Sequence, residues 1–259
     1  MISLMTFSAR PLRHIGLALA ALAAMYGHAN AQAPSRSTFD IEIGAAWQDR
    51  NQVQVPNDAG GTRFGLDRIT GDGPFLAPRL QFSTGLAPRH ELRLVAAPFG
   101  IKESGTLDQA VNFNGQRFLA GGVTAKYRFD SYRATWRYTF HDAGPWTWKA
   151  GVTGKIRDAE ITLTQGGVSS TRSDTGFVPL FHLYAERRLG NRSRITFEGD
   201  ALAGGRGRAI DASLRYVHDL GDRLSGFAGV RLLDGGVDGS SQYNFARFHY
   251  LTAGLQYRL

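Results

Sequence analysis

The sequence predicts an all-β protein: a closed, antiparallel, up-and-down transmembrane barrel of about ten strands, preceded by a cleaved leader. Three observations predict it. Apolar and polar residues alternate with a period of two in segment after segment. The chain runs such a segment to its last residue, Leu259. Its N-terminus reads as an export signal.

The leader comes first. Arg10 and Arg13 precede the apolar run Ile15–Met25, and Ala29-Asn30-Ala31 offers small residues for cleavage. A positive n-region, a short apolar h-region and an A-x-A site make a secretory signal peptide. The run is too short for a spanning helix, which needs about 20 apolar residues. Residues 1–31 are therefore assigned to the signal peptide and 32–259 to a single barrel domain.

The strands follow in order. Phe39, Ile41, Ile43, Ala45 and Trp47 oppose Asp40, Glu42, Gly44 and Gln48. Pro78, Leu80 and Phe82 oppose Arg79, Gln81 and Ser83; Leu92, Leu94, Ala96 and Pro98 oppose Glu91, Arg93 and Val95. Tyr132, Ala134, Trp136, Tyr138 and Phe140 oppose Arg133, Thr135, Arg137 and Thr139, and Trp146, Trp148, Ala150 and Val152 oppose Thr147, Lys149, Gly151 and Thr153. Phe177, Pro179, Phe181 and Leu183 oppose His182, Tyr184 and Glu186, and Ile195 and Phe197 oppose Arg194, Thr196, Glu198 and Asp200. Ile210, Ala212, Leu214 and Tyr216 oppose Asp211, Ser213 and Arg215; Leu224, Ala228 and Val230 oppose Ser225, Gly229 and Arg231. In the last segment Leu251, Ala253, Leu255, Tyr257 and Leu259 oppose Thr252, Gly254, Gln256 and Arg258. That makes ten segments, each with one apolar face, and none carries a sustained helical stripe.

A strand that ends the chain, with an aromatic two residues before an apolar terminus, resembles the closing strand of bacterial outer-membrane β-barrels. Leu259 stands where that family usually has Phe or Trp. The resemblance implies residence in the outer membrane, contact with its lipid and lipopolysaccharide, and delivery to the barrel assembly machinery through the C-terminal strand. Short turns fall at 86–89, 141–145, 189–192 and 219–222, and longer or glycine-rich links at 50–74, 100–121, 165–174, 203–207 and 235–243. Such barrels keep short turns periplasmic and long loops outside, so an even strand number leaves both termini in the periplasm. Tyr138, Phe140, Trp146, Trp148, Phe197, Tyr216 and Tyr257, with Phe82, sit on the apolar parity near the short turns, where an aromatic girdle belongs. A soluble lipocalin-like barrel or sandwich alternates too, but sends its apolar parity inward. The girdle, and a polar parity that mixes charges with Gly, Ser and Thr, favour the membrane.

Composition narrows the function. Beyond the leader, 28 basic residues face 22 acidic ones, a net charge of +6. The basic residues, all but four of them Arg, are spread singly along strands, so a nucleic-acid groove is not expected. The absence of cysteine removes thiol catalysis, lipid anchoring and thiolate metal sites. The seven histidines are scattered without metal-ligand spacing, and the glycine-rich 203–207 follows no strand-to-helix pattern. A monomer without cofactor or metal is expected.

The inward parity carries Asp40, Glu42, Arg79, Glu91, Arg93, Arg133, Arg137, Glu186, Glu198, Asp200, Asp211, Arg215 and Arg231. Ten strands enclose little more than side chains fill, and buried ions must pair. A plugged lumen of ion pairs follows, which points first to a structural or surface-interaction protein that is not an enzyme. The second reading is a lipid A- or peptide-modifying enzyme. Folding the hairpin about Leu189–Arg192 puts His182 opposite about Gly199, between Glu198 and Asp200, with Asp211 opposite Asp200. An imidazole among carboxylates is an acid–base candidate, and a height of about ten residues above the short turns would place it at the outer rim. Ten-stranded omptin proteases, which the chain resembles in inferred architecture alone, keep acidic and His residues at that rim. Residues 248–251 (Phe-His-Tyr-Leu) are similar to the His-x-Ser of lipid A deacylase barrels, with Leu251 in place of the serine. A narrow solute channel is the third reading. Pro78, Pro98 and Pro179 interrupt ladder hydrogen bonding, and the expected reason is that the ladders end just above the hydrocarbon. The alternative, by analogy with palmitoyltransferase barrels, is a seam for lateral lipid access.

Overall fold

The computed structural model describes residues 37–205 and 207–259, so the leader expected over residues 1–31 lies outside the described residues. Ten wall positions close into an antiparallel barrel. They are β1 (Thr38–Gln54), β3 (Phe75–Ala87), β4 (His90–Ala97) continued by β5 (Gly100–Leu107), β8 (Gly121–Ala143), β9 (Trp146–Gln165), β10 (Val168–Arg188), β11 (Ser193–Gly204), β12 (Gly207–Asp219), β13 (Leu224–Asp238) and β14 (Tyr243–Arg258). Each pairs with its chain neighbour, and β1 closes on β14 from Thr38↔Arg258 to Gln54↔Tyr243. Closure leaves no free edge along the full height of the β1–β14 seam.

The lower part of the barrel, next to the short turns, has a hydrocarbon-compatible exterior. Ile41, Ile43, Leu80, Tyr132, Trp136, Val152, Ile156, Phe177, Phe181, Leu214, Val230, Leu251 and Leu255 all point outward and are exposed. Toward the turns, Tyr138, Phe140, Trp146, Tyr216 and Tyr257 are exposed while Trp148 and Phe197 are half-buried. Trp146 stacks on Trp148 with ring centroids 5.5 Å apart.

Higher up, the same alternation changes sense. On β8 the odd positions face inward throughout, yet Arg133, Thr135 and Arg137 below give way to Val123, Ala125 and Tyr127 above. Outward, Tyr132 and Trp136 give way to Lys126 and Arg128, which pair with Glu160 (2.9 Å) and Asp158 (2.6 Å) of β9. Exposed ion pairs belong in water, so β8 and β9 leave the apolar phase near Ser131 and Arg157. Strands β8, β9 and β10 are 23, 20 and 21 residues long, against the roughly 9–11 that cross a bilayer. The links expected at 165–174 and 203–207 are consequently mostly strand: tight turns join β9 to β10 and β11 to β12.

The upper lumen is filled by the chain between strands. Residues 55–74, with β2 (Phe64–Gly65) and α1 (Asp67–Thr70), and the hairpin β6 (Val111–Phe113)–β7 (Gln116–Phe118) fold inward on β1, β8 and β14. Val55, Leu66, Ile69, Phe99, Ile101, Phe113, Phe118, Leu163 and Phe248 make one buried apolar cluster there. Gly105 lets β5 pass under α1, since a Cβ at that position would lie 2.2 Å from the Ile69 carbonyl oxygen.

Candidate functional site

Strand parity alone decides what faces the lumen: inward side chains from every strand meet across a space of side-chain dimensions. They sort by height into three layers.

The lowest layer surrounds a vestibule of about 570 Å³ near the short turns. Arg137 and Lys149 both bond Glu91, and Arg215 bonds Glu42 and lies 3.6 Å from Asp40. Glu186 accepts the Tyr184 hydroxyl at 2.7 Å and has Arg194 at 3.7 Å. Glu198 is at the top of this vestibule.

The middle layer crosses the barrel. Arg93 bonds Glu198 and lies 3.5 Å from Asp200. Arg133 bridges Asp200 (2.8 Å) and Asp211. Arg231 grips Asp211 with Nε at 2.7 Å, and Arg79 adds a third guanidinium at 3.8 Å. These seven side chains, contributed by β3, β4, β8, β11, β12 and β13, are all buried. Burial of this many charges is tolerable because every carboxylate is paired, Asp200 and Asp211 each with more than one cation. Below the apolar boundary Lys155 completes the layer. It is buried, and its nitrogen sits 4.8 Å from the centroid of the Phe129 ring. Among the described residues it has no ion-pair partner. The layer thus sets five cations (Arg79, Arg93, Arg133, Lys155, Arg231) against three carboxylates (Glu198, Asp200, Asp211).

The histidine candidate sits inside this layer rather than at the rim. The register is His182↔Asp200, with Leu183 opposite Gly199, one residue from the pairing expected. His182 is six positions from the end of β10 at Arg188, so its height is mid-barrel; the upper half of β10 climbs far past it. Its Nδ1 is 2.8 Å from Asp200 Oδ1, which also accepts the Thr153 hydroxyl at 2.7 Å. Its Nε2 is buried without a hydrogen-bond partner among the described residues. An acid–base histidine must reach its substrate proton, and neither large cavity is lined by His182, Asp200 or Asp211. Of the 248–251 segment, Phe248 and Tyr250 are buried inside, while His249 faces outward with its Nε2 3.0 Å from Asp49 at the barrel exterior.

Above the layer lies a second cavity of about 540 Å³, lined by Tyr127, Phe129, Ala159, Val178, Leu202 and Leu233 with Lys155, Arg157 and Arg208 among them. Sequence reasoning missed it. The signal available was the brevity of the segments around 193–219 beside their long neighbours. The expectation for Pro179 is corrected at the same place. The β10–β11 ladder ends at Phe181↔Ala201, below Pro179, and Phe177 beyond it still faces outward, 69 % exposed. The ladder therefore stops within the apolar band and not above it.

No family model and no curated protein matches the chain by sequence. Solved structures do. The outer membrane protease OmpT of Escherichia coli superimposes with a TM-score of 0.57 at 8% identity, over 90% of this chain and 99% of that one. The fold is that of a bacterial outer-membrane β-barrel. The attachment invasion locus protein Ail of Yersinia pestis (TM-score 0.40, 10% identity, 88% of this chain and 100% of that one) is also similar. So is neisserial surface protein A (TM-score 0.35, 12% identity, 85% and 97%). At 8% identity the likeness to the protease shows the fold alone, and the site must argue the role.

Proposed function

We propose that the protein is an outer-membrane barrel with a sealed lumen that acts through its outer end as a surface-interaction protein. The observation that carries this reading is the middle layer, a buried sheet of ion pairs reaching from β3 and β4 to β11, β12 and β13. Solute passage would require these pairs to separate in a poorly hydrated space, which costs several kcal/mol per ion. The enzyme reading has less support, because the His182–Asp200 pair is enclosed in that layer.

The orientation belongs to the same proposal. Thr38 pairs with Arg258, and the Leu259 amide donates to the Ser37 carbonyl at 3.0 Å. Both ends of the described chain thus sit at the short-turn rim, the periplasmic one. Residues 55–74 and the β6–β7 hairpin then face outside. Lipid and lipopolysaccharide surround a monomer, and the barrel assembly machinery receives the β14 strand.

The native chain has no cysteine, so single cysteines report cleanly. Gln116→Cys should react with a membrane-impermeant maleimide on intact cells, and Asn191→Cys only after lysis; the reverse pattern overturns the orientation. Proteoliposomes should not swell in small sugars. Swelling at a porin-like rate would replace this reading with the channel.

A further inference from the structure

We infer that the upper cavity binds a single-chain anionic amphiphile, an acyl chain bearing one carboxylate or phosphate group, taken laterally from the outer leaflet through a window in the barrel wall. The inference rests on the sealed lumen only for the cavity floor. The window stands on other residues.

The window is built by unequal strand lengths. Strands β11 and β12 turn back at Gly204↔Gly207, while β10 continues upward to Val168 paired with β9 alone. From Pro179 upward, β10 pairs with no strand on its β11 side among the described residues. Proline has no N–H to offer a ladder, and the register that ends at Phe181↔Ala201 is not resumed. On the far side stands the β11–β12 hairpin, whose β12 strand stays laddered to β13 up to Gly207↔Val237. The opening is closed above by Gln242, which accepts from Arg172 Nε at 3.3 Å and donates to Asp174 Oδ2 at 3.1 Å. The frame is therefore β10 on one side, the β11–β12 hairpin on the other and the Gln242 bridge above. A Cβ added to Gly204 or Gly205 would meet nothing within 4 Å.

Height decides what lies outside. Phe177 and Phe181 flank the break in the ladder, and both are 69 % exposed on the outward face. On a barrel wall, residues so apolar and exposed face acyl chains. The window therefore opens at the top of the hydrocarbon band, where one leaflet's chains meet their headgroups.

The lining decides what enters. Tyr127, Phe129, Ala159, Leu202 and Leu233 offer an apolar enclosure, and about 540 Å³ is within the usual range for a ligand pocket. A purely apolar guest does not explain Lys155. It lines the cavity, is 4 % exposed, and lacks a carboxylate partner among the described residues. Arg157 and Arg208, at the cavity edge, are held by Asp174 and Asp234. Beneath Lys155, four buried arginines face three carboxylates, so the floor carries one more cation than carboxylates. A buried unpaired ammonium is costly, and one anionic group on an otherwise apolar guest relieves it.

The test uses the whole protein folded in neutral detergent, with tritiated palmitate as probe. Saturable binding of one palmitate per barrel is expected. Lys155→Met should weaken it by about tenfold or more, the loss of one charge-assisted contact. Gly204→Trp, at a cavity-lining position where an added Cβ meets nothing within 4 Å, should reduce it similarly. Unlabelled palmityl alcohol should compete poorly. Competition by lysophosphatidic acid would extend the accepted group to phosphate, and its failure would restrict it to carboxylate. Heat-modifiable mobility verifies folding of each variant. Absence of saturable binding, or equal binding by the wild type and both folded variants, overturns the inference. Binding that persists in a barrel found to conduct would overturn the sealed lumen alone.

Discussion

Replacing Asp211 with alanine removes the carboxylate on which three guanidinium groups converge. Arg133 keeps Asp200 at 2.8 Å. Arg231 and Arg79 keep no carboxylate: Arg231 retains only the Tyr250 ring 5.0 Å away, and Arg79 loses its single pair at 3.8 Å. Two buried cations are thus stranded in a layer already rich in positive charge. Breaking one buried pair this way costs about 3–5 kcal/mol, most of it the penalty of the uncompensated partner. Removing Arg231 as well takes away one stranded charge, so Asp211→Ala with Arg231→Ala should be less unstable than the sum of the singles. A coupling of about 1–3 kcal/mol is expected for groups sharing one network. The assay is guanidinium unfolding from lipid vesicles, followed by tryptophan fluorescence and by heat-modifiable mobility. Additivity within about 0.5 kcal/mol would refute a shared network.

Two further outcomes follow from the same geometry. Leu214 points outward between Phe197 and Val230 in the lower barrel, 49 % exposed; Leu214→Arg should cost about 2–4 kcal/mol in vesicle unfolding, against about 0–1 for the same change at the membrane edge. His182→Gln removes the Nδ1 contact to Asp200 and should lower stability by about 1–3 kcal/mol. It should leave lipid A mass spectra and whole-cell peptide cleavage identical to the wild type, and a lost product in either assay would restore the enzyme reading.

The period of two made the wall legible. Arg133 and Arg137 alternate with Tyr132, Trp136 and Tyr138, so the residues that face the lumen could be read one strand at a time. Arg231 beside Asp211 on the next strand could be read as well, but which charges meet across the lumen could not. Arg215 and Glu42 are far apart in the chain and meet across closed strands, and pattern reasoning pairs only consecutive strands. Heights were misjudged for a physical reason. Val123, Ala125 and Tyr127 alternate with Thr124, Lys126 and Arg128 as regularly as the membrane segment does, but with the apolar face inward. Alternation reports a two-sided strand and not which side meets water, so the exit from the bilayer near Ser131 is silent in the pattern. That put His182 at the rim instead of mid-barrel. A one-residue difference in the turn, where the Leu189 amide bonds the Ser193 carbonyl at 2.9 Å, moved its partner from Gly199 to Asp200. The lateral window depends on β11 and β12 being short beside β10, and Ala203-Gly-Gly-Arg-Gly207 reads as an outer loop although β11 and β12 pair up to Gly204↔Gly207.

The sealed middle layer is the centre of this account, and ion conductance across a planar lipid bilayer tests it most directly. The folded wild-type protein, inserted in both orientations in molar potassium chloride, should add no steady current above that of the protein-free bilayer. Reproducible ohmic steps from the wild type would mean that the pairs formed by Arg93, Arg133, Arg231, Asp200 and Asp211 do not close the lumen.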